Sequence, residues 1–331
     1  MNPLFKPRRR TTALAIAMAA LAPRLAFAQD RFPAKPVRFI VPYPPGGIAD
    51  AMARLLQPGL QARLGQPVVI ENRTGAGGNV GTDYVAKAPG DGHTILFSAA
   101  GPLAVNKTLY KGTLAYDPER DLRGVVQLAG FPLILAVNPK VPVSTPAEFL
   151  AWAKAARDAP RAFASAGNGT PQHLAGELFA RSTKVKLLHV PYRGAGPAML
   201  DVVAGQVPCT FENAGGALPH IRSGGLKAIA VTSAQRMEML PTVPTLAETL
   251  LPGFDFTAWN GVSAPRSTPD PVIEVLNRVF REVLQEPAIR AKWLELGSLL
   301  VAGAPAQFDA LVHAEIVRLG AIVSEVGIKP D

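Results

Sequence analysis

The chain carries one cysteine, Cys209, in 331 residues. A lone thiol excludes an internal disulfide and a cysteine-built zinc centre, and it reads as a small buried apolar side chain. Aromatic residues make up 7% and charged residues 18%, which argues against a nucleic-acid surface; 48% hydrophobic residues argue against disorder. No apolar run approaches the ~20 residues that cross a bilayer. The five histidines (93, 173, 189, 220, 313) show no ligating spacing, and HExxH is absent although His173 and Glu177 lie four apart. Residues 75–81, GAGGNVG, hold Val80 where a dinucleotide fingerprint requires its third glycine, and they follow the second strand rather than the first. That loop reads equally as a tight turn or as a ligand contact. Phe163-Ala164-Ser165-Ala166-Gly167 lacks the leading glycine of a nucleophile elbow, so Ser165 reads as a hydrogen-bond donor or a strand-end cap. Nothing assembles a nucleophile, a base and an oxyanion hole. The expectation is no catalytic residue, no metal and no cofactor.

What is present is organised around residues 37–54, VRFIVPYPPGGIADAMAR. An apolar strand pattern stops at Pro42, turns through Pro44-Pro45-Gly46-Gly47 and opens into a helical pattern. The first turn of such a helix leaves N–H groups unpaired at the positive end of its dipole, a setting that favours an anion. Gly46 and Gly47 let a ligand approach the backbone. Asp50 at the start of the helix reads as a cap for N–H groups, whether or not it also meets ligand. Arg193 reads either as a carboxylate partner or as a surface ion pair.

The net charge of +9 arises from 34 basic and 25 acidic residues, and five of the basic ones with none of the acids fall within residues 1–28, which leaves +4 for the rest. Lys6 to Arg10, the apolar Ala13–Ala22 and the cleavage pattern Ala26-Phe27-Ala28 together read as a cleaved secretion signal over residues 1–28. The remainder is expected to be exported and soluble.

Strand and helix patterns then alternate, which predicts an α/β fold with parallel pairing. Strands are expected at 37–41, 67–71, 93–98, 122–128 and 133–138, and a second series begins near Thr145. It has strands at 162–165, 187–190, 207–211 and 228–232. An apolar strand at 256–264 and three helices at about 271–285, 287–296 and 305–323 follow. Crossings near 130 and 255 divide the chain into a discontinuous lobe, 29–130 with 255–331, and an inner lobe, 131–254. That is the layout of a two-lobed binding protein with its ligand in the cleft.

Seven segments carry a resemblance over essentially the whole chain after residue 28. They are VPYPPGGIADAMAR (41–54), VVIENRTGAGGNVGTDYVAKAPGDGHTIL (68–96), FASAGNGTPQHLAGELF (163–179), VPYRGAGPAMLDVVAGQV (190–207), ALPHIRSGGLKAIAVTSAQR (217–236), PTVPTLAE (241–248) and WNGVSAPRSTPDPVIEVLN (259–277). In these the chain resembles the Bug family, the TctC-like periplasmic solute receptors of tripartite tricarboxylate transporters. The resemblance implies a Venus-flytrap fold of the type II periplasmic binding class, each lobe a central sheet flanked by helices. It implies no catalysis, a small carboxylated ligand, delivery to membrane subunits of the transporter, and a monomer that binds no nucleic acid. Carried over residue by residue, the first-lobe contacts are Tyr43, Pro44, Pro45, Gly46, Gly47 and Asp50, with Ser98, Ala99 and Gly101. The second-lobe contacts are Ser165, Asn168, Gly169, Thr170 and His173, then Arg193, Gly194 and Ala195, then Glu212 and Asn213. Ala49 stands where many members have Ser or Thr, Glu212 where Asp is common, and Ser267 where a GTP turn has Gly. An exported α/β hydrolase-like enzyme and a sensor module without a transporter are the competing readings.

Overall fold

The structure, a computed structural model, describes residues 32–156 and 159–329; the expected secretion signal at 1–28 lies outside the described residues. Strand β1 (Val37–Val41) buries every side chain but Arg38, and it runs parallel to β2 (Val68–Asn72) on one side and β3 (Thr94–Ala99) on the other. Helix α1 (Ile48–Leu64) follows β1 and ends at Gly65 in the left-handed conformation, where glycine carries no Cβ penalty. Helix α2 (Asn79–Ala86) follows β2, and a π-type turn, Gly101–Val105, running into the short helix Asn106–Leu109 follows β3.

Strand β4 (Leu122–Val137) is 16 residues long. Sequence pattern places two strands here, at 122–128 and 133–138; the structure has one. Two register shifts absorb the bend, between Gly124 and Val126 and between Gln127 and Ala129. Helix α3 (Pro146–Ala155) starts from a capping box in which Thr145 and Glu148 satisfy each other's backbone N–H groups. Then come β5 (Arg161–Ser165), α4 (Pro171–Thr183), β6 (Leu187–Pro191), α5 (Ala195–Ala204), β7 (Cys209–Asn213), α6 (Ala214–Arg222) and β8 (Lys227–Val231). Strand β9 (Thr257–Pro265) leads to α7 (Asp270–Leu284), α8 (Pro287–Glu295), β10 (Leu299–Leu300) and the long α9 (Pro305–Val326).

The strand order is β2-β1-β3-β9-β4-β7-β5-β6, with β8 and β10 also on β4. The expected parallel pairing holds for β1–β3 and for β5–β7, whereas β4 and β9 run antiparallel to their neighbours. Strand β4 alone is paired in both halves, carrying the chain from one to the other, and β9, on the returning segment, runs antiparallel to both β3 and β4. The architecture is therefore two α/β halves, each a sheet with flanking helices.

Phe39, Phe97, Phe280 and Trp293 form a core on the first half. A second core joins both halves through Phe149, Phe163, Phe179, Phe211, Trp259 and Phe308. Helix α9 spans them: it packs beside the Gly101–Leu109 segment and also pairs with α4 through Arg181 and Glu325 at 2.7 Å. Helices reach the sheet at two points where a side chain would not fit. A Cβ on Gly176 would lie 2.3 Å from the Phe163 ring, and one on Gly261 would lie 2.2 Å from the Phe308 ring. Gly176→Ala should therefore overpack the α4–β5 contact and cost about 1–3 kcal/mol, read as a lower denaturation midpoint at unchanged slope.

Candidate ligand-binding cleft

The C-terminal ends of β1 and β2 finish side by side, Val41 opposite Asn72. This brings the loop after β1 under the control of one carboxylate. Asp50 is 4% exposed. Its Oδ2 accepts from Gly46 N–H and from Arg54 Nε, both at 2.9 Å, and its Oδ1 accepts from Asn72 Nδ2 at 2.9 Å. Asn72 Nδ2 also donates to Tyr43 O at 3.0 Å, so the loop is clasped at both ends. The Arg54 guanidinium first, then the Gly46 and Asn72 donors, hold the Asp50 carboxyl down at about 2 against the cost of its burial. Pro44, Pro45, Gly46 and Gly47 stay exposed, and no side chain caps α1 at Gly47. Asp50 thus caps the loop itself rather than the helix.

Tyr43 reaches across this half. A Cβ on Gly78 would lie 3.5 Å from Tyr43 Cζ, and one on Gly101 would lie 3.8 Å from the Tyr43 hydroxyl. The GAGGNVG loop and the start of the π-type turn therefore flank Tyr43. Asn79 Oδ1 accepts from Asn106 Nδ2 at 2.6 Å and from Tyr116 OH at 3.1 Å, tying the two segments together. Ser98 stands in the sheet: it is fully buried, and its hydroxyl meets Ser263 Oγ at 2.8 Å. Ala99 is buried and Gly101 is half-exposed.

In the second half the loops after β5, β6 and β7 converge. Ser165 Oγ lies 2.5 Å from His189 Nε2 and 3.1 Å from both the N–H and the C=O of Gly167. Thr170 Oγ1 donates to the same Gly167 carbonyl at 2.7 Å, and Gly169 N–H donates to His173 Nδ1 at 3.1 Å. The His173 and His189 rings stack 3.6 Å apart at 6°. Burial first, then the neighbouring His173, presses His189 down to about 3, so His189 is neutral at physiological pH. The loop after β6 is pinned by Tyr192 N–H to Ser165 O and Gly194 N–H to Ala166 O, at 3.0 and 3.1 Å. Arg193 is exposed, just before α5 begins at Ala195. Glu212 is 1% exposed, and its Oε1 accepts from Asn213 N–H, Asn213 Nδ2 and Gln172 Nε2 at 2.8, 2.6 and 3.2 Å. Burial nevertheless pushes this carboxyl up to about 7. Asn213 Oδ1 caps α6 through Gly216 N–H.

The halves meet where Gly169 stands over the other half: a Cβ there would lie 3.2 Å from Leu109 and 3.6 Å from Val105. Gly101, Val105, Gly169, Leu174, Phe256 and Leu319 line a narrow recess at this junction. A wider hollow between Arg222, Met239 and Leu294 contains none of the expected contacts. Among the described residues no cluster of His, Cys, Asp and Glu could hold a metal ion. Sequence reasoning passed over Asn72, Gln172 and His189. Asn72 ends β2 opposite Val41, His189 stands mid-strand in β6 opposite Phe163, and Gln172 lies in the first turn of α4. The pairing of β1 with β2 and of β5 with β6 was therefore the signal for the first two, and none pointed to Gln172.

The tripartite tricarboxylate transporter family receptor model matches residues 52–328. The chain belongs to this family. Protein BugT of Bordetella pertussis is 41% identical over 301 residues, covering 91% of this chain and 92% of BugT. Two solved relatives from Rhodopseudomonas palustris are each 34% identical. Rpa4515, solved with adipate, covers 91% of this chain and 100% of its own at a TM-score of 0.79. MatC, with bound malate, covers 88% and 100% at 0.75. Family and fold are thus those of periplasmic solute-binding receptors rather than enzymes. Among the described residues no helix is long and apolar enough to cross a membrane.

The clasp has a pH signature. Because the folded Asp50 carboxyl titrates below its ordinary 3.8, its stabilising contribution is present above that value and is lost as pH falls through about 2. The contribution is on the order of 2 kcal/mol. Asp50→Asn should be less stable at pH 7, with the difference from the parent shrinking toward pH 2 in urea melts.

Proposed function

We propose that this receptor captures a small carboxylated compound between its two halves and presents it to the membrane subunits of a tripartite tricarboxylate-type transporter. The observation that carries the reading is the exposed Pro44–Gly47 loop at the uncapped N-terminus of the 17-residue α1, fixed from behind by Asp50 and Asn72. The first turn of α1 behind it supplies backbone N–H donors and a favourable dipole, and the loop leaves a carboxylate room to approach them without displacing a side chain. The adipate and malate bound by the two relatives support the ligand class. In this reading the lobes are 29–130 with 255–331 and 131–254, and residues 1–28 direct export to the periplasm and are removed. The first lobe grips through the loop from Tyr43 to Gly47 and through Gly101. The second reads the rest of the ligand through Ser165, Asn168, Gly169, Thr170, His173, Arg193, Gly194, Ala195, Glu212 and Asn213. The protein acts as a monomer with no cofactor.

The Ser165–His189 contact favours one other reading, an exported hydrolase. Against it stands the chemistry of the pair. His189 near pKa 3 is a weak base at neutral pH, and the Gly167 carbonyl competes for the serine proton.

A thermal-shift screen of residues 29–331 against small carboxylates and their neutral amides tests the proposal. A true ligand at a hundredfold excess over its Kd should add about 2.7 kcal/mol of stability, and its amide should add none. Stabilisation by amides alone would sink the carboxylate reading. Turnover of a carboxylic ester that disappears in Ser165→Ala would point to the hydrolase instead.

A further inference from the structure

At Leu133 the long strand β4 changes neighbours. Up to Pro132 it pairs with β9, with Pro132 opposite Thr257; from Ile134 it pairs with β8, with Ile134 opposite Val231. Thr232, the residue after β8, lies between the two crossing segments and is fully buried. Its N–H donates to Leu133 O at 2.9 Å, and its carbonyl accepts from Phe256 N–H at 2.8 Å. An antiparallel pair would have had Leu133 N–H return a bond to that carbonyl. Phe256 has taken it. The exchange of partners therefore leaves one donor, Leu133 N–H, and one acceptor, Phe256 O, facing each other's strand. A single hydroxyl serves both: Thr232 Oγ1 accepts from Leu133 N–H at 2.8 Å and donates to Phe256 O at 2.6 Å. Only a group that donates and accepts at one atom can do this, which among side chains of this size means Ser or Thr. Valine has the same shape and would orphan both backbone groups in a site closed to water.

We propose that Thr232 is the positioning residue of the hinge, its hydroxyl locking the two crossing segments to each other and so setting how the two lobes face one another. The proposal rests on the reading of two lobes that close on a ligand, and it places the control of closure about a residue that touches no ligand. Leu133 and Phe256 lie on the segments by which β4 and β9 cross at this level, so a shift between them changes the angle between the lobes directly.

The test is a distance measurement by double electron–electron resonance between spin labels on Val69→Cys and Leu200→Cys, exposed positions in the two halves. Cys209 is fully buried and its thiol is pushed up to about 12, so it takes no label. Without ligand, the parent and Thr232→Ser should give one narrow distance, and Thr232→Val should give a wider, displaced distribution. Gly176→Ala, destabilised within one half, should keep the parental width. A Thr232→Val distribution equal to the parent's overturns the proposal, as does equal widening in Gly176→Ala. If Thr232→Val does not fold, Thr232→Ala takes its place: a widened distribution supports the hinge role and a parental one overturns it. Adding adipate or malate to the parent separates the two readings. A panel of acids that never alters the parental distance counts against carboxylate-driven closure, while the ligand-free comparison still decides the hinge.

Discussion

Everything in this fold depends on the backbone of β4 staying hydrogen-bonded while it passes from one sheet to the other. A strand that serves two sheets must change partners somewhere, and each change threatens to strand a buried N–H or C=O at a cost of about 1–3 kcal/mol. The chain places Pro132, which has no N–H to lose, on one side of the exchange and Thr232, with its two-way hydroxyl, on the other. The passage is thereby satisfied without a loop, and the two sets of strand ends stay aimed at one junction.

The two sides of that junction present different chemistry. The first half presents backbone, its Pro44–Gly47 loop shaped by a carboxylate that faces inward and is consumed by three donors. The second presents side chains in interlocked sets: stacked imidazoles, a serine, and a carboxyl that burial holds largely protonated up to about pH 7. Neither side uses a lysine among the groups just described. In the proposed reading, charge selection on the second side falls to Arg193 and to the ionisation of Glu212, whose raised titration adds stability while it is protonated and loses it as pH rises through about 7.

Much of this was legible in the sequence, for reasons that are physical. Buried strands such as Val37–Val41 announce themselves by continuous apolar runs, and helix starts by Thr145 or Pro171. The family was readable because seven segments in order carry the loops at strand ends. What escaped was whatever depends on pairing. The run Ala129-Gly130-Phe131-Pro132 looks like a break between two strands, yet tertiary pairing to β9 carries β4 straight through it. Asp50 was readable as a helix-start acid, but its service to Gly46 and Asn72 required knowing that β1 and β2 lie side by side. Ser98 sits at a strand end like a contact residue, and only the register with β9 reveals its hydroxyl spent on Ser263.

Helix α9 has a mechanical consequence. Rooted by Phe308 under Gly261 in one half, it reaches α4 of the other through Arg181 and Glu325. It is a strap laid across the joint. Its hold on the half with α4 is mainly apolar, with Leu319, Ile322 and Val323 buried in the core that also takes Leu174 and Phe179, and the half-exposed ion pair adds no more than about 1 kcal/mol. The tail therefore ties the two halves chiefly by apolar burial, and only the small ion-pair share of that tie is sensitive to salt.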